Sequence, residues 1–101
     1  MEKKTRMEKA LVMNEADNTA TAISDLDSGR TVSVLIGDRR ENVLIMEDIP
    51  FGHKFALKSI AKGDQVIKYG ASIGLATDDI ATGVHVHSHN LEGARGRGDR
   101  K

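Results

Sequence analysis

Ser59-Ile60-Ala61-Lys62-Gly63-Asp64-Gln65-Val66 recurs twenty residues on as Asp79-Ile80-Ala81-Thr82-Gly83-Val84-His85-Val86. A weaker third copy is Leu26-Asp27-Ser28-Gly29-Arg30-Thr31-Val32. The shared pattern is Ile or Leu, then Gly three residues later, then Val six residues later. Physically this is an apolar anchor, a tight turn in which Gly permits φ > 0, and a strand entering the core. Three copies in 101 residues are too few for a solenoid. They fit a pseudo-symmetric small barrel, and ordinary turn grammar explains the recurrence equally well.

Outward from these units, residues 54–57, 65–69, 72–76 and 84–89 read as short strands about ten residues apart. Pro50 and the glycines at 52, 63, 70, 74 and 83 argue against long helices. In the N-terminal half, residues 9–13 read as a strand and 14–18 as turn formers. Residues 19–26 suggest a short helix, with Asp17 or Asn18 as its cap, Gly29 beyond its end, and Ala22, Ile23 and Leu26 as its apolar face. The β-branched run 31–36 is a strand, 37–40 a turn, and 42–46 a further apolar run that Glu47-Asp48-Ile49-Pro50 stops. The expectation is a mainly β, compact domain over 9–92 with one short helix near 19–26. Flexible basic segments are expected at 1–8 and 93–101.

The charge distribution supports that division. Fifteen Lys plus Arg balance fifteen Asp plus Glu. Yet residues 1–9 carry Lys3, Lys4, Arg6 and Lys9 against only Glu2 and Glu8, and residues 95–101 carry Arg95, Arg97, Arg100 and Lys101 against Asp99. The body between them is acidic. Basic arms suit nucleic acid, but no aromatic residues are interleaved there for base stacking, and nucleic-acid binding is not expected. Cysteine is absent, which excludes a disulfide scaffold and any thiol chemistry. No export signal and no run long enough to span a bilayer appear, so no membrane association is expected and the cytoplasm is the default. With 39% apolar residues, a chain this small has little room for a deep enclosed site. It is expected to complete a site rather than own one.

The chemistry concentrates late in the chain. His85, His87 and His89 alternate with Val84, Val86 and Ser88. On a strand the valines would face the core and the three imidazoles the opposite side. A His-x-His pair can chelate one divalent metal. His85 and His89 would be roughly 13 Å apart on an ideal strand, so one metal would take two of the three and a ligand from elsewhere, for which His53 is the candidate. Solvated or partner-facing imidazoles, acid–base work and carboxylate binding are the other readings of the cluster. Lys68-Tyr69-Gly70 holds the only tyrosine. A lysine and a phenol beside a glycine turn can bind a carboxylate or move a proton, though an edge-strand lysine beside a half-buried ring is the simpler reading. Arg95-Gly96-Arg97-Gly98 reads as a strap for an anionic surface.

Taken in order, several segments together resemble a known family. They are Asp48-Ile49-Pro50-Phe51-Gly52-His53-Lys54-Phe55-Ala56-Leu57, Ile60-Ala61-Lys62-Gly63, Val66-Ile67-Lys68-Tyr69-Gly70, Ile73-Gly74-x-Ala76 and Asp79-Ile80-Ala81-x-Gly83-x-His85-Val86-His87-x-His89-Asn90-Leu91. The chain over 9–100 is similar to the SAF-type domain of the altronate and galactarate dehydratases and to the small subunit of sulfolactate sulfo-lyase. The closing Arg-Gly-Arg-Gly-Asp resembles the altronate type more closely. Ser88-His89 departs from relatives, which often carry an apolar residue or Thr before that His.

The resemblance implies a SAF-type β-clip and a separate large catalytic dehydratase subunit as partner. It implies dehydration of a sugar-acid substrate to a 2-keto-3-deoxy product, usually with a divalent metal, iron or manganese. By the motif match, catalytic roles fall on His85, His87 and Lys68, and substrate binding on His53, Lys54, Tyr69 and Asn90. His85 and His87 would also be the metal ligands. A stand-alone acid- or carbohydrate-binding module and a metal-binding sensor are the rival readings. Exposed strand edges would also permit a homodimer.

Overall fold

Burial alternates along the β-branched run Thr31–Ile36, and this period of two marks a strand with Val32, Val34 and Ile36 turned into the core. The computed structural model describes residues 9–12 and 14–93 of the chain. Nine strands follow one another: β1 Ala10–Val12, β2 Thr19–Ala22, β3 Thr31–Ile36, β4 Arg39–Leu44, β5 Lys54–Ala56, β6 Gln65–Lys68, β7 Ala71–Ala76, β8 His85–Val86 and β9 Leu91–Gly93. They form a six-stranded sheet in the order β4-β3-β1-β2-β5-β8 and a three-stranded sheet in the order β6-β7-β9. All pairs are antiparallel except β1 with β3. No helix occurs among the described residues. The mainly β, compact expectation is what the structure shows.

The recurring turn is a structural unit with a fourth member. Leu26 and Ile49 exchange both backbone hydrogen bonds at 2.8 Å, and Ile60 and Ile80 do the same at 2.8 Å. Three residues after each of these anchors stands a glycine with φ between 87° and 90°: Gly29, Gly52, Gly63 and Gly83. In each turn the residue after the glycine donates its N–H to the carbonyl three residues back. The glycines themselves donate to Ile45, Ala22, Ala76 and Ala56, each four residues before the partner anchor. The backbone N–H groups of Ser28, Phe51 and Lys62 donate to the carboxylates of Asp48, Asp25 and Asp79. The sequence pattern missed the Ile49 unit because Phe55 stands where the other copies have Val.

The anchors separate two cores. Ala10, Val12, Ala20, Ala22, Leu26, Val32, Val34, Ile36, Val43, Ile45, Ile49 and Phe55 fill one. Ala56, Ile60, Val66, Ala76, Ile80 and Val86 fill the other. Strand β5 divides them, because consecutive residues Phe55 and Ala56 point to opposite sides.

The expected helix over 19–26 is a strand instead. Thr19–Ala22 pairs with β1 on one side and β5 on the other, and this two-sided pairing, which buries Thr19, Ala20 and Ala22, outweighs local helix propensity. Asp17 and Asn18 cap no helix. Asn18 accepts the Ile67 N–H on its Oδ1 and donates from Nδ2 to the Gln65 carbonyl, which ties β6 onto β2. Strand β8 is also shorter than the expected 84–89 and ends at Val86. The basic segments 1–8 and 94–101, including Arg95 and Arg97, lie outside the described residues, while Gly93 closes β9.

Candidate functional site

Strand β8 is the last strand of the larger sheet, so one of its edges has no strand neighbour. It pairs with β5 through Lys54↔Val86 and Phe55↔His85. The same register sets His53 opposite His87. Directly opposite and diagonal residues on one face of an antiparallel pair lie within side-chain reach, which brings His53, His85 and His87 together.

The chain leaves the strand after Val86 because of Asn90. Its side-chain amide is buried, accepts the His87 N–H at 2.9 Å and donates to the His85 carbonyl at 2.9 Å. The Asn90 N–H closes the turn by donating to the His87 carbonyl. This turn replaces the straight strand that would have spread the histidines apart. The His85 and His89 rings are 5.7 Å apart, not the 13 Å of an extended chain.

The three central rings pack as a cluster. His53 Nδ1 lies 2.9 Å from His85 Nε2, and the His53–His87 and His85–His87 ring centroids are 5.0 and 5.4 Å apart. One ring nitrogen from each of His53, His85 and His87 falls within 4.8 Å of the other two. Nitrogens bound to one tetrahedral ion at about 2.1 Å would be roughly 3.4 Å apart, so small rotations suffice for a common ion. His53 and His85 are half-buried and His87 is exposed. Burial, and then the neighbouring charge of His53, His87 and His89, holds His85 below its ordinary range, while Glu47 opposes the shift. Glu47 also accepts the His85 N–H at 3.0 Å. A neutral imidazole is the form that binds a metal or accepts a proton.

The lysines form a second group. Lys54 shares its β5 face with Ala56, across from Val86 and Thr21, so strand alternation turns it away from the side His53 and Phe55 occupy. Burial, and then the positive charge of Lys68, lowers the Lys54 pKa. Lys68 ends β6, with its Nζ 5.0 Å from the Tyr69 ring centroid, and the ring is exposed. The expected site residues therefore fall into a histidine group and a Lys54–Lys68–Tyr69 group, and Asn90 supports the first from below. The reading of the residues missed Glu47 and the buried Asp17. Neither side chain belongs to a motif with chemical spacing, and only the tertiary fold reveals their partners.

Fold and site define a class: a small β module that carries a histidine cluster on the last strand of its larger sheet. The altronate/galactarate dehydratase SAF domain model matches residues 8–94, and the chain belongs to that family. It is 54% identical over 74 residues to altronate dehydratase of Escherichia coli (strain K12), which covers 73% of this chain and 14% of that protein. Altronate dehydratase of Bacillus subtilis (strain 168) is 34% identical over 86 residues, or 85% of this chain and 16% of that protein. The chain thus spans only a small part of these dehydratases. Against (2R)-sulfolactate sulfo-lyase subunit alpha of Chromohalobacter salexigens it is 32% identical over 88 residues, which is 94% of that subunit.

Proposed function

We propose that the chain is the small SAF-domain subunit of a sugar-acid dehydratase of the altronate type, and that it completes the substrate site of a separate large catalytic subunit in the cytoplasm. The convergence of His53, His85 and His87, partly exposed on the last strand of the larger sheet, carries this reading. A site on an edge strand, half-exposed and without walls of its own, suits closure by a second polypeptide.

Dehydration of a sugar acid removes a proton next to the carboxylate and expels the β-hydroxyl. His85, held neutral, and His87 are suited to move protons between site and substrate. Lys68, Lys54 and the Tyr69 phenol form a second group, apart from the histidines, whose positive charge and hydrogen-bond donor suit a carboxylate. Asn90 acts through the turn that it braces. Where a divalent metal such as iron or manganese serves the assembled enzyme, His85 and His87 would hold it with His53 as the third ligand. The metal would supply Lewis-acid assistance to the departing hydroxyl.

The 94% coverage of a sulfo-lyase alpha subunit favours a second reading, in which the same module serves a sulfonated acid. Co-purification with each type of large subunit separates the two. The first reading expects a stable complex with a dehydratase subunit and altronate turnover that needs both chains. A chain that stays free of that subunit and adds no dehydratase activity contradicts it.

A further inference from the structure

Asp17 is a carboxylate with 1% of its surface exposed, and no motif of the site includes it. Its Oδ2 accepts the Tyr69 N–H at 3.0 Å and its Oδ1 accepts the Gly70 N–H at 2.7 Å. These two residues are the tip of the β6–β7 hairpin, closed by the pair Lys68↔Ala71. Both have positive φ, 58° for Tyr69 and 76° for Gly70. Such a two-residue tip is the type I′ turn, whose first position favours Asn, Asp or Gly. A tyrosine there is strained, and among the described residues Tyr69 alone combines a side chain with positive φ. The residue gains little burial in return, since it is 60% exposed. Gly70 has its own constraint: a Cβ there would lie 2.7 Å from Asn14 Nδ2.

A buried carboxylate is thus matched to two consecutive amides of a turn that its own sequence disfavours, and the turn displays a solvent-facing phenol beside the Lys68 ammonium. We propose that Asp17 is a positioning residue that holds the Lys68–Tyr69 tip in its left-handed turn and so presents phenol and ammonium as a preformed recognition pair for a substrate carboxylate. The inference rests on the reading of Lys68 and Tyr69 as substrate-facing. Its physical basis is charge-assisted hydrogen bonding to adjacent amides, which fixes the backbone from which both side chains project.

Tyr69 is the only tyrosine and the chain has no tryptophan, so intrinsic fluorescence reports this ring alone. The test compares the full chain with its Asp17→Asn variant by time-resolved anisotropy, and compares the complexes of the two with a large dehydratase subunit for altronate affinity. The expected result is unchanged circular dichroism and a larger fast picosecond-to-nanosecond component in the variant than in the parent. The affinity of the complex for altronate should fall on the order of tenfold with Asp17→Asn. Equal anisotropy in both proteins overturns the proposal, and so does a freed ring with unchanged altronate affinity. If Lys68→Ala leaves the altronate affinity of the complex unchanged, the substrate-facing reading fails, and the anisotropy comparison still decides whether Asp17 holds the tip. Should Asp17→Asn fold poorly, its loss in thermal midpoint should be smaller in a Tyr69→Gly background, because glycine does not need holding there. An equal loss in both backgrounds overturns the proposal.

Discussion

His53 Nδ1 and His85 Nε2 stand 2.9 Å apart, joined from the start of β5 and from β8. A nitrogen–nitrogen contact this short requires one ring to donate and the other to accept, so at least one of the pair is neutral.

The pH dependence follows. The folded chain holds His85 below its ordinary value of 6.5, first through burial and then through the charge of His53, His87 and His89. Between its folded pKa and 6.5 the unfolded chain binds more protons, so stability rises with pH there. This contribution is complete above 6.5 and is lost as pH falls through the folded value. Thermal unfolding of the metal-free chain at decreasing pH should show the loss, and His85→Ala should flatten it. An identical slope in the variant contradicts the assignment.

The three-ring geometry predicts divalent metal binding. Titration with manganese or ferrous ion should raise the thermal midpoint of the isolated chain, by the equivalent of about 2.7 kcal/mol at a hundredfold excess over Kd. His53→Ala should weaken binding about as much as His87→Ala, since each removes one of three ligands. A midpoint shift that survives all three single substitutions rules out this cluster as the site.

The Asn90 amide holds the turn that gathers the rings. Asn90→Ala leaves the His87 N–H without its acceptor and should destabilise the chain by about 1–3 kcal/mol. It should also weaken metal binding without touching a ligand. Urea unfolding and metal titration of the same variant check both effects.

Equivalent glycines of the repeated turn should respond differently. Gly29 has φ +90° with nothing within 4 Å of a built Cβ, so Gly29→Ala should cost about 1–2 kcal/mol for the left-handed backbone alone. At Gly83, φ +88°, a Cβ would fall 2.0 Å from the Leu44 carbonyl oxygen. Gly83→Ala should lose more than about 4 kcal/mol or fail to fold. Denaturant midpoints rank the two.

The glycine-anchor pattern made the β architecture readable, because Gly three residues after Ile is a local signal of turn and strand. The same local reasoning failed at 19–26. Thr19, Ala20, Thr21 and Ala22 have no strong preference, and pairing with two strands distant in sequence decides their conformation. His-x-His was visible as spacing, but its shape depends on Asn90 reaching back to His85 and His87. Asp17 looked like a helix cap because its partners, Tyr69 and Gly70, lie more than fifty residues away.

Reconstitution decides whether the chain completes a dehydratase site. A large dehydratase subunit is assayed for altronate dehydration with the parent chain, without it, and with the His85→Ala/His87→Ala double variant. Turnover is expected only with the parent chain, while the double variant still folds and still binds the large subunit. Full turnover without this chain, or with the double variant, contradicts that role.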